Sequence, residues 1–355
     1  MTGQIPDLRS ESHRPRLCLA ALCTLIAAAV LIAGCGPGGE PAPADRQARF
    51  LSLGTAPPGG AFFLVGSALA DVLDRHHRAE GWRVNTEATK GSQENLRRLE
   101  RGELDLALSN SAITYFAVRG GGAWEQPTST RALLTLAPNV AFFVAPRSAG
   151  IASIADLRGR RVVIGPAGAG FEAFVGPILE AHGLAYDDLD VLHAPQAAAV
   201  DMLADGSVAA AFLGGAVPTP SIEQAASTQD LVFIPFDPAV RDSLIERYSF
   251  FRPAVVPAGT YAGQDDELAV LDVGSMHLVA AAALDDDTAY QVVRTLYENR
   301  AEVAERHPAG RAINPGNVVR DTGTEFHPGA VRYYREIGIW PDSEDSRQEG
   351  AVASP

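Results

Sequence analysis

The chain has 355 residues, of which 46% are hydrophobic and 20% charged, so it is long enough for two α/β domains with hydrophobic cores. The formal net charge of −14 argues against nucleic acid or an anionic membrane surface as the main partner. All three cysteines lie within the first 35 residues, so the rest of the chain has neither a disulfide nor a cysteine metal site. Among the 29 basic residues, Lys90 is the only lysine.

Residues 1–34 are typical of a signal peptide. Two arginines precede an apolar run that ends in Ile32-Ala33-Gly34-Cys35. This ending resembles a bacterial lipobox, which predicts cleavage before Cys35 and a lipid on its sulfur. An uncleaved membrane anchor and an ordinary secretory signal are the alternatives. Residues 35–48 are rich in Gly, Pro and Ala and are predicted to be a flexible tether, which implies a periplasmic, membrane-anchored protein.

The first globular segment combines a strand, a glycine turn and a helix. Apolar residues 50–53 lead into Gly54-Thr55-Ala56-Pro57-Pro58-Gly59-Gly60, and apolar side chains then recur at helical spacing from Phe62 to Leu73. Glycines let a backbone approach a small molecule closely, and the first amides of a helix carry partial positive charge. A simple strand-to-helix turn would give the same pattern, but the chain repeats the pattern later, which favours a binding role.

Two further strands in this region end in polar turns. A strand at 83–88 is followed by Thr89-Lys90-Gly91-Ser92, in which Ser92 is predicted to cap the next helix. A strand at 104–108 is followed by Ser109-Asn110-Ser111. Ligands of parallel α/β sheets bind beyond the carboxyl ends of the strands, so the three turns are expected to converge at one edge.

The same plan recurs after the apolar segment 140–145, which is predicted to be the crossing into a second lobe. A strand at 162–164 leads into Gly165-Pro166-Ala167-Gly168-Ala169-Gly170-Phe171, and a strand at 208–213 leads into Gly214-Gly215. The predicted fold is therefore α/β with two lobes, each a mixed sheet flanked by helices, and with a ligand cleft between the lobes.

The expected division of the globular chain is 49–139 for the first part of lobe 1, 140–252 for lobe 2, 253–340 for the return to lobe 1, and 341–355 for a disordered tail. Segment 250–256 is predicted to be the second crossing between the lobes. Asp285-Asp286-Asp287 is interpreted as the acidic start of a helix, with a calcium site as the alternative. Residues 326–340 are predicted to close the fold with an amphipathic helix around Tyr333 and Tyr334.

Several short motifs recur in a fixed order between residues 51 and 339: Gly54-Thr55 with Gly59-Gly60 and Phe62-Phe63, Gly91-Ser92 with Glu94-Asn95-Leu96, Gly102-Glu103-Leu104-Asp105-Leu106-Ala107, Asp156-Leu157 with Gly159 and Arg161-Val162, Gly165-Pro166, and His327-Pro328-Gly329-Ala330. Together they resemble the TAXI family of solute receptors that serve TRAP transporters. The resemblance implies a type II-like periplasmic binding fold that closes on an amino acid, a dicarboxylate or another small organic anion. It also implies delivery to a membrane permease driven by an ion gradient, with no catalysis, cofactor or metal.

The resemblance also implies ligand-binding residues on both lobes. They are Thr55, Gly60, Phe62, Ser92, Asn95, Asn110 and Ser111 on the first lobe, and Gly168, Ala169, Gly170, Phe171 and Gly215 on the second. The expected chemistry is capture of an anion by helix N-termini and hydroxyl groups. Similar receptors tend to have Gly-Ser-Gly-Thr at positions 168–171, so this chain lacks two hydroxyls and has an added ring. We therefore expect a ligand that is less hydrophilic than a dicarboxylate or that stacks on Phe171. Lys90 is either a partner for a ligand carboxylate or a solvated lysine.

Two other functions fit parts of the pattern. A receptor of this fold could instead be the binding subunit of an ATP-driven importer or could present its ligand to a sensor kinase. Residues 168–173 also fit the Gly-x-Gly-x-x-Gly/Ala pattern of dinucleotide-binding enzymes, with Asp188 or Asp190 about 20 residues further on. Against an enzyme, these glycines begin late after the strand, and an exported protein would meet little nicotinamide cofactor. The chain contains no Gly-x-Ser-x-Gly nucleophile motif.

Overall fold

The computed structural model describes residues 49–248 and 250–341. The predicted signal peptide, the tether and the lipidated Cys35 lie outside these residues, as does the predicted tail apart from its first residue. The described chain consists of two mixed sheets with helices packed against them. Within these residues, every helix is too short or too polar to cross a membrane.

The strands, in chain order, are β1 (Arg49–Gly54), β2 (Trp82–Glu87), β3 (Leu106–Asn110), β4 (Thr130–Thr135), β5 (Val140–Pro146), β6 (Arg161–Ile164), β7 (Asp190–Leu192), β8 (Ala210–Gly215), β9 (Leu231–Ile234), β10 (Arg252–Val256), β11 (Leu268–Asp272) and β12 (Met276–Ala281). The helices are α1 (Ala61–His77), α2 (Ser92–Glu100), α3 (Ser111–Ala117), α4 (Glu172–Ala181), α5 (Gln196–Ala204), α6 (Pro220–Thr228), α7 (Pro238–Arg247), α8 (Asp286–Glu298), α9 (Arg300–Arg306), α10 (Pro315–Val318) and α11 (Pro328–Glu336).

The first sheet has the strand order β2-β1-β3-β12-β4. Strands β1, β2 and β3 are parallel, whereas β12 runs antiparallel to both β3 and β4. Apolar residues of α1 such as Leu69 pack with Leu53 of β1 and with Leu296 of α8 in one buried cluster. Because the three parallel strands end at the same edge, the turns that follow them lie together there.

The second sheet has the strand order β10-β11-β5-β8-β6-β7, and β9 also pairs with β5. Strands β6, β7 and β8 are parallel, and β5 runs antiparallel to β8, β9 and β11. The carboxyl ends of β6 and β8 therefore share one edge, which faces the corresponding edge of the first sheet. The fold is a two-lobed α/β fold, and the predicted fold class is confirmed.

Two adjacent segments connect the lobes. The chain passes from β4 to β5 through residues 136–139 and returns from β11 to β12 through residues 273–275. The two segments are hydrogen-bonded to each other, since the Val273 N–H donates to the Asn139 carbonyl at 2.9 Å and the Met276 N–H donates to the Ala137 carbonyl at 2.9 Å. The first crossing was predicted at 140–145, but those residues already form β5 of the second sheet, so the crossing lies just before them.

The second crossing also differs from its expected position. The apolar segment 250–256 was expected to return to lobe 1 with a boundary at residue 253, but β10 pairs with β11 at the edge of the second sheet, with Arg252 opposite Asp272. The return comes about twenty residues later, at 273–275. An apolar run predicts a strand, whereas the sheet that it joins depends on pairing with residues far along the chain.

Helix starts follow the predictions with one exception. Asp285 caps α8, because its Oδ1 accepts a hydrogen bond from the Thr288 N–H at 2.8 Å, which confirms the helix-start interpretation. Tyr333 and Tyr334 are buried on α11 as predicted. Ser92, however, is the first residue of α2 rather than its cap, and Gly91 with φ of +124° precedes it. The Ser92 Oγ accepts instead from the Asn110 N–H at 2.9 Å, so it joins α2 to the end of β3.

Candidate ligand-binding cleft

The turns of both sheets surround one cavity of about 60 Å³. From the first lobe it is lined by Ala56, Pro57, Gly60, Phe62, Lys90, Gly91, Ser92, Asn110 and Ile113. From the connecting segment and the second lobe it is lined by Asn139, Ala141, Pro166, Phe171, Phe174, Gln196, Phe212 and Gly214. The cavity therefore lies where the sequence places the cleft, beyond the carboxyl ends of β1, β3, β6 and β8.

The turn after β1 supplies Gly60 and Phe62 to the cavity wall. Gly60 precedes the first residue of α1, and Phe62 lies in the first turn of that helix. Thr55 is fully buried and does not line the cavity. Its N–H and its hydroxyl both donate to the Glu87 carbonyl, at 2.9 and 2.8 Å, so Thr55 holds the end of β1 against the end of β2.

The turn after β2 brings Lys90 and Ser92 to the cavity, whereas Asn95 lies behind the wall. Asn95 is fully buried, and its Nδ2 donates to the carbonyls of Thr55 at 2.7 Å and Leu108 at 2.8 Å. These two carbonyls lie just after β1 and within β3, so Asn95 ties the end of β1 to β3. The structure gives Asn95 a bracing position.

The turn after β3 supplies Asn110, whose side chain is already fully engaged. Its Oδ1 accepts from the Ala112 N–H at 2.8 Å and caps α3, and its Nδ2 donates to the carbonyls of Val273 at 3.2 Å and Gly274 at 2.8 Å. Ser111 does not line the cavity, and its N–H donates to the Ser275 carbonyl at 2.9 Å. This turn thus connects the cavity wall to the segment 273–275, which joins the lobes.

The turn after β6 places the Phe171 ring in the cavity wall. The ring lies directly over Gly165, where a Cβ atom would come within 2.7 Å of the ring, so only glycine fits at this position. The centroid of the Phe171 ring is 5.3 Å from that of Phe174 and 6.3 Å from that of Phe212. Three aromatic rings therefore make the second lobe's side of the cavity apolar.

Residues 168–170, which were predicted to touch ligand, do not line the cavity, and Ala169 and Gly170 contact the first lobe. The Ala169 carbonyl accepts a hydrogen bond from the Gln93 N–H of α2 at 3.1 Å. A Cβ atom on Gly170 would lie 2.9 Å from Ile113 Cδ1, and one on Gly168 would meet nothing within 4 Å. This loop, residues 168–170, holds the second lobe against the first and gives the structure a closed form.

Several lining residues were missed by sequence reasoning. Gln196 opens α5, where its Nε2 donates to the Gly214 carbonyl at 2.8 Å and its Oε1 accepts from the Ser221 hydroxyl at 2.8 Å. A polar residue at the start of the helix that follows β7 was a usable signal for it. Gly215 was predicted, but its neighbour Gly214 lines the cavity. Asn139, Phe174 and Phe212 gave no motif, because only the folded arrangement brings them to the cavity.

The carboxylate of Asp272 is buried at the end of β11, next to the connecting segment 273–275. The Asp272 carboxylate accepts hydrogen bonds from the Asn139 N–H at 3.0 Å and the Ser275 hydroxyl at 2.7 Å, and Arg320 donates to the Ser275 Oγ at 2.5 Å. Burial raises the pKa of Asp272, while the bonds from Ser275 and Asn139 and the charge of Arg320 act in the opposite direction. Across residues 49–248 and 250–341, no group of three or more His, Asp or Glu side chains is placed to hold a metal ion.

This geometry is that of a two-lobed α/β fold with a cavity between the lobes. The model of the NMT1-like family matches residues 53–338, so the chain belongs to the NMT1-like family.

Solved structures share the fold at low sequence identity. A protein of Bordetella bronchiseptica is 15% identical, with 85% of this chain and 92% of that chain covered and a TM-score of 0.50. PhnD1 of Prochlorococcus marinus, solved in complex with methylphosphonate, is 10% identical, with 74% and 92% covered and a TM-score of 0.50. The alkanesulfonate-binding protein SsuA of Xanthomonas axonopodis, bound to MOPS, is 16% identical, with 83% and 81% covered and a TM-score of 0.45. The first two of these structures show that the chain shares their fold.

Proposed function

We propose that this protein is an extracytoplasmic solute-binding protein, which captures a small organic anion between its lobes and delivers it to a membrane transporter. The observation that carries the proposal is the cavity that the turns of both sheets enclose. A solute that touches both lobes at once stabilises the closed form by the contacts that it gains there. The closed form is then the state that the transporter recognises.

Five of the residues predicted from the sequence are proposed as ligand contacts, because they line the cavity: Gly60, Phe62, Ser92, Asn110 and Phe171. Lys90, Asn139 and Gln196 are added on the same ground. Thr55, Asn95 and Ser111 are proposed to hold the wall in shape, and residues 168–170 together with Gly215 to support closure. A dinucleotide enzyme receives no support from the loop, since the Ala169 backbone is bonded to Gln93 rather than open to a pyrophosphate.

The class of transporter is part of the proposal. The TRAP assignment rests on the motifs that resemble TAXI receptors, whereas the comparisons lend that class no support of their own. We therefore propose the binding subunit of an ATP-driven importer as the first candidate and the receptor of a TRAP permease as the second. Uptake into vesicles that carry the cognate permease separates them. Uptake driven by ATP alone supports the first class, and uptake driven by a sodium or proton gradient without ATP supports the second.

Attachment to the membrane is a further part of the proposal and rests on the lipobox-like Ile32-Ala33-Gly34-Cys35. Cys35→Ser is expected to release the protein from the membrane fraction of the producing cell. Retention of the variant in that fraction would count against a lipid anchor at this residue.

The proposed function is tested by thermal unfolding of the protein in the presence of amino acids, 2-oxo acids, dicarboxylates and aromatic acids. A ligand at one hundred times its Kd adds about 2.7 kcal/mol to the free energy of unfolding, which raises the midpoint by several degrees. The protein is first unfolded, dialysed and refolded so that a co-purified solute is removed. A shift with one chemical class supports a solute-binding protein, and no shift with any compound contradicts it.

A further inference from the structure

The charge of the cavity wall is carried by one residue. Of the residues that line the cavity, Lys90 is the only one with a formal charge. Within residues 49–248 and 250–341, its ammonium group has no carboxylate within ion-pair distance, although Glu94 accepts a hydrogen bond from its backbone N–H at 3.2 Å. Lys90 is exposed, so its positive charge lies at the solvent side of the cavity, and the wall carries no negative charge.

The position of Lys90 is fixed by the turn that carries it. Thr89 is buried, and its hydroxyl donates to the Thr55 carbonyl at 3.1 Å and accepts from the Gly91 N–H at 3.1 Å. The residues on both sides of Lys90 are thus held to the end of β1. The backbone of this lysine is anchored at the mouth of the cavity, whereas a lysine in a loose loop would spread its charge over many positions.

The remaining polar groups of the wall have little capacity for a second charge. The side chains of Asn110 and Gln196 are already used for hydrogen bonds within the protein. In the described part of the chain, three neutral side chains at the wall have donors without a partner: the hydroxyl of Ser92, the amide of Asn139 and one of the two Nε2 protons of Gln196. Such neutral groups can orient a carboxylate but cannot neutralise an additional one.

The rest of the wall is apolar. Phe62 and Ile113 of the first lobe face Phe171, Phe174 and Phe212 of the second. The cavity is small, at about 60 Å³. A second carboxylate would be buried against these rings without a cation, and the ammonium of an amino acid would be buried without a carboxylate. Both are strongly disfavoured, because a charge that loses its water needs a partner.

We infer that the solute is a compact organic monoanion without an amino group, whose single carboxylate pairs with Lys90 and whose apolar body packs between Phe62 and the ring cluster of Phe171, Phe174 and Phe212. This inference rests on the proposed function and narrows its ligand class: it separates monocarboxylates from the amino acids and dicarboxylates that the sequence resemblance implies. Lys90 is the residue that determines this charge preference.

The test compares molecules that share one apolar body and differ in charge. Benzoate is the monoanion, benzamide its neutral counterpart, terephthalate the dianion and phenylglycine the zwitterion; 3-methylbutanoate and valine form a second, branched pair. Titration calorimetry on the refolded protein is expected to show at least tenfold tighter binding of benzoate or of 3-methylbutanoate than of its counterparts. Lys90→Met is expected to weaken the monoanion at least fivefold and to remove its advantage over the neutral amide, whereas Lys90→Arg retains most of the affinity.

Arg335→Met is the matched control, because it removes one positive charge from an exposed position on α11 that does not line the cavity. Its affinity for the monoanion should stay within twofold of the unaltered protein. Tightest binding of a dianion or a zwitterion overturns the inference and leaves the proposed function intact, as does a Lys90→Met variant that behaves like the control. An absence of binding by these compounds and by the whole panel contradicts both.

Discussion

His277 is a fully buried histidine in the middle of the first sheet. Its Nε2 lies 2.8 Å from the Thr114 hydroxyl, and its Nδ1 lies 3.4 Å from the Thr322 hydroxyl. Burial lowers its pKa from the ordinary 6.5 to about 3, and the charge of Arg320 acts in the same direction. The folded protein therefore keeps this imidazole neutral across the range in which an unfolded chain would protonate it.

The stability of the protein is expected to fall as the pH falls from 6.5 towards 3. In this range the unfolded state binds a proton at His277 and the folded state does not, so the free energy of unfolding decreases. Between pH 7 and pH 5 the contribution of this one residue is about 2 kcal/mol. Urea unfolding at the two pH values measures it. His277→Gln should lose less stability between the two pH values than the unaltered protein does, by about 2 kcal/mol.

The control for this measurement is Gln126→Ala, which changes an exposed, uncharged side chain between α3 and β4 of the same lobe. This variant should keep the pH dependence of the unaltered protein. Equal pH dependence of the His277→Gln variant and the unaltered protein would show that the His277 imidazole titrates alike in the folded and unfolded states.

Single polar residues show how far the cleft can be predicted from sequence. Ser92, Asn95, Asn110 and Ser111 all stand in polar sequence segments that follow predicted strands, yet only Ser92 and Asn110 line the cavity. The direction of each side chain is set by nearby backbone groups that need a partner. Asn95, for example, donates hydrogen bonds to the carbonyls of Thr55 and Leu108. These two acceptors come close to each other only when β1 and β3 are paired.

At the scale of elements, the loop of residues 168–170 joins the two lobes. Gly168 and Gly170 both have positive φ, +77° and +97°, so any other residue at either position would have a strained backbone. They differ in their surroundings, because only Gly170 faces the first lobe, where a methyl group would lie 2.9 Å from Ile113 Cδ1 and 3.3 Å from Gln93 Cβ. A change at Gly170 therefore affects closure as well as the local backbone.

Gly170→Ala is expected to bind the best solute of the thermal screen about fivefold more weakly than Gly168→Ala does. The two variants share the same backbone strain, about 1 kcal/mol, so the difference isolates the obstruction between the lobes. Titration calorimetry measures the affinities. Electron paramagnetic resonance gives the distance between two spin labels, one on each lobe, attached at Asn85→Cys and Ser227→Cys. In a chain that begins at Arg49 these are the only two cysteines. Equal affinities and equal distances in both variants would remove the loop from the closing contact.

At the scale of the whole molecule, the lobes are joined by the paired segments 136–139 and 273–275. Asp272 accepts hydrogen bonds from both, through the N–H groups of Asn139 at 3.0 Å and Gly274 at 3.1 Å. Arg320 reaches the same group through the Ser275 hydroxyl. Since Asn110 also donates to Val273 and Gly274, the cavity wall and the connection between the lobes form one hydrogen-bonded unit.

Asp272→Asn is expected to lower the free energy of unfolding by about 2 kcal/mol, because it leaves the partly buried Arg320 without the negative charge nearby. The distribution of distances between the two spin labels should broaden as the connecting segments loosen. Urea unfolding and electron paramagnetic resonance measure the two effects. Asp265→Asn changes an exposed acid on the same lobe and should leave both unchanged. A stable variant with an unaltered distance distribution would show that Asp272 does not hold the connection.

The sequence by itself determined the two glycine turns, the α/β class and the edge at which the cleft lies, because each depends on a local pattern of apolar residues, glycines and strand ends. Tertiary structure alone decided that β10 belongs to the second sheet, that residues 168–170 contact the other lobe, and that Asn139 and the rings of Phe174 and Phe212 reach the cavity. These features depend on contacts between residues far apart in the chain, and a local sequence pattern does not determine which distant residues come into contact.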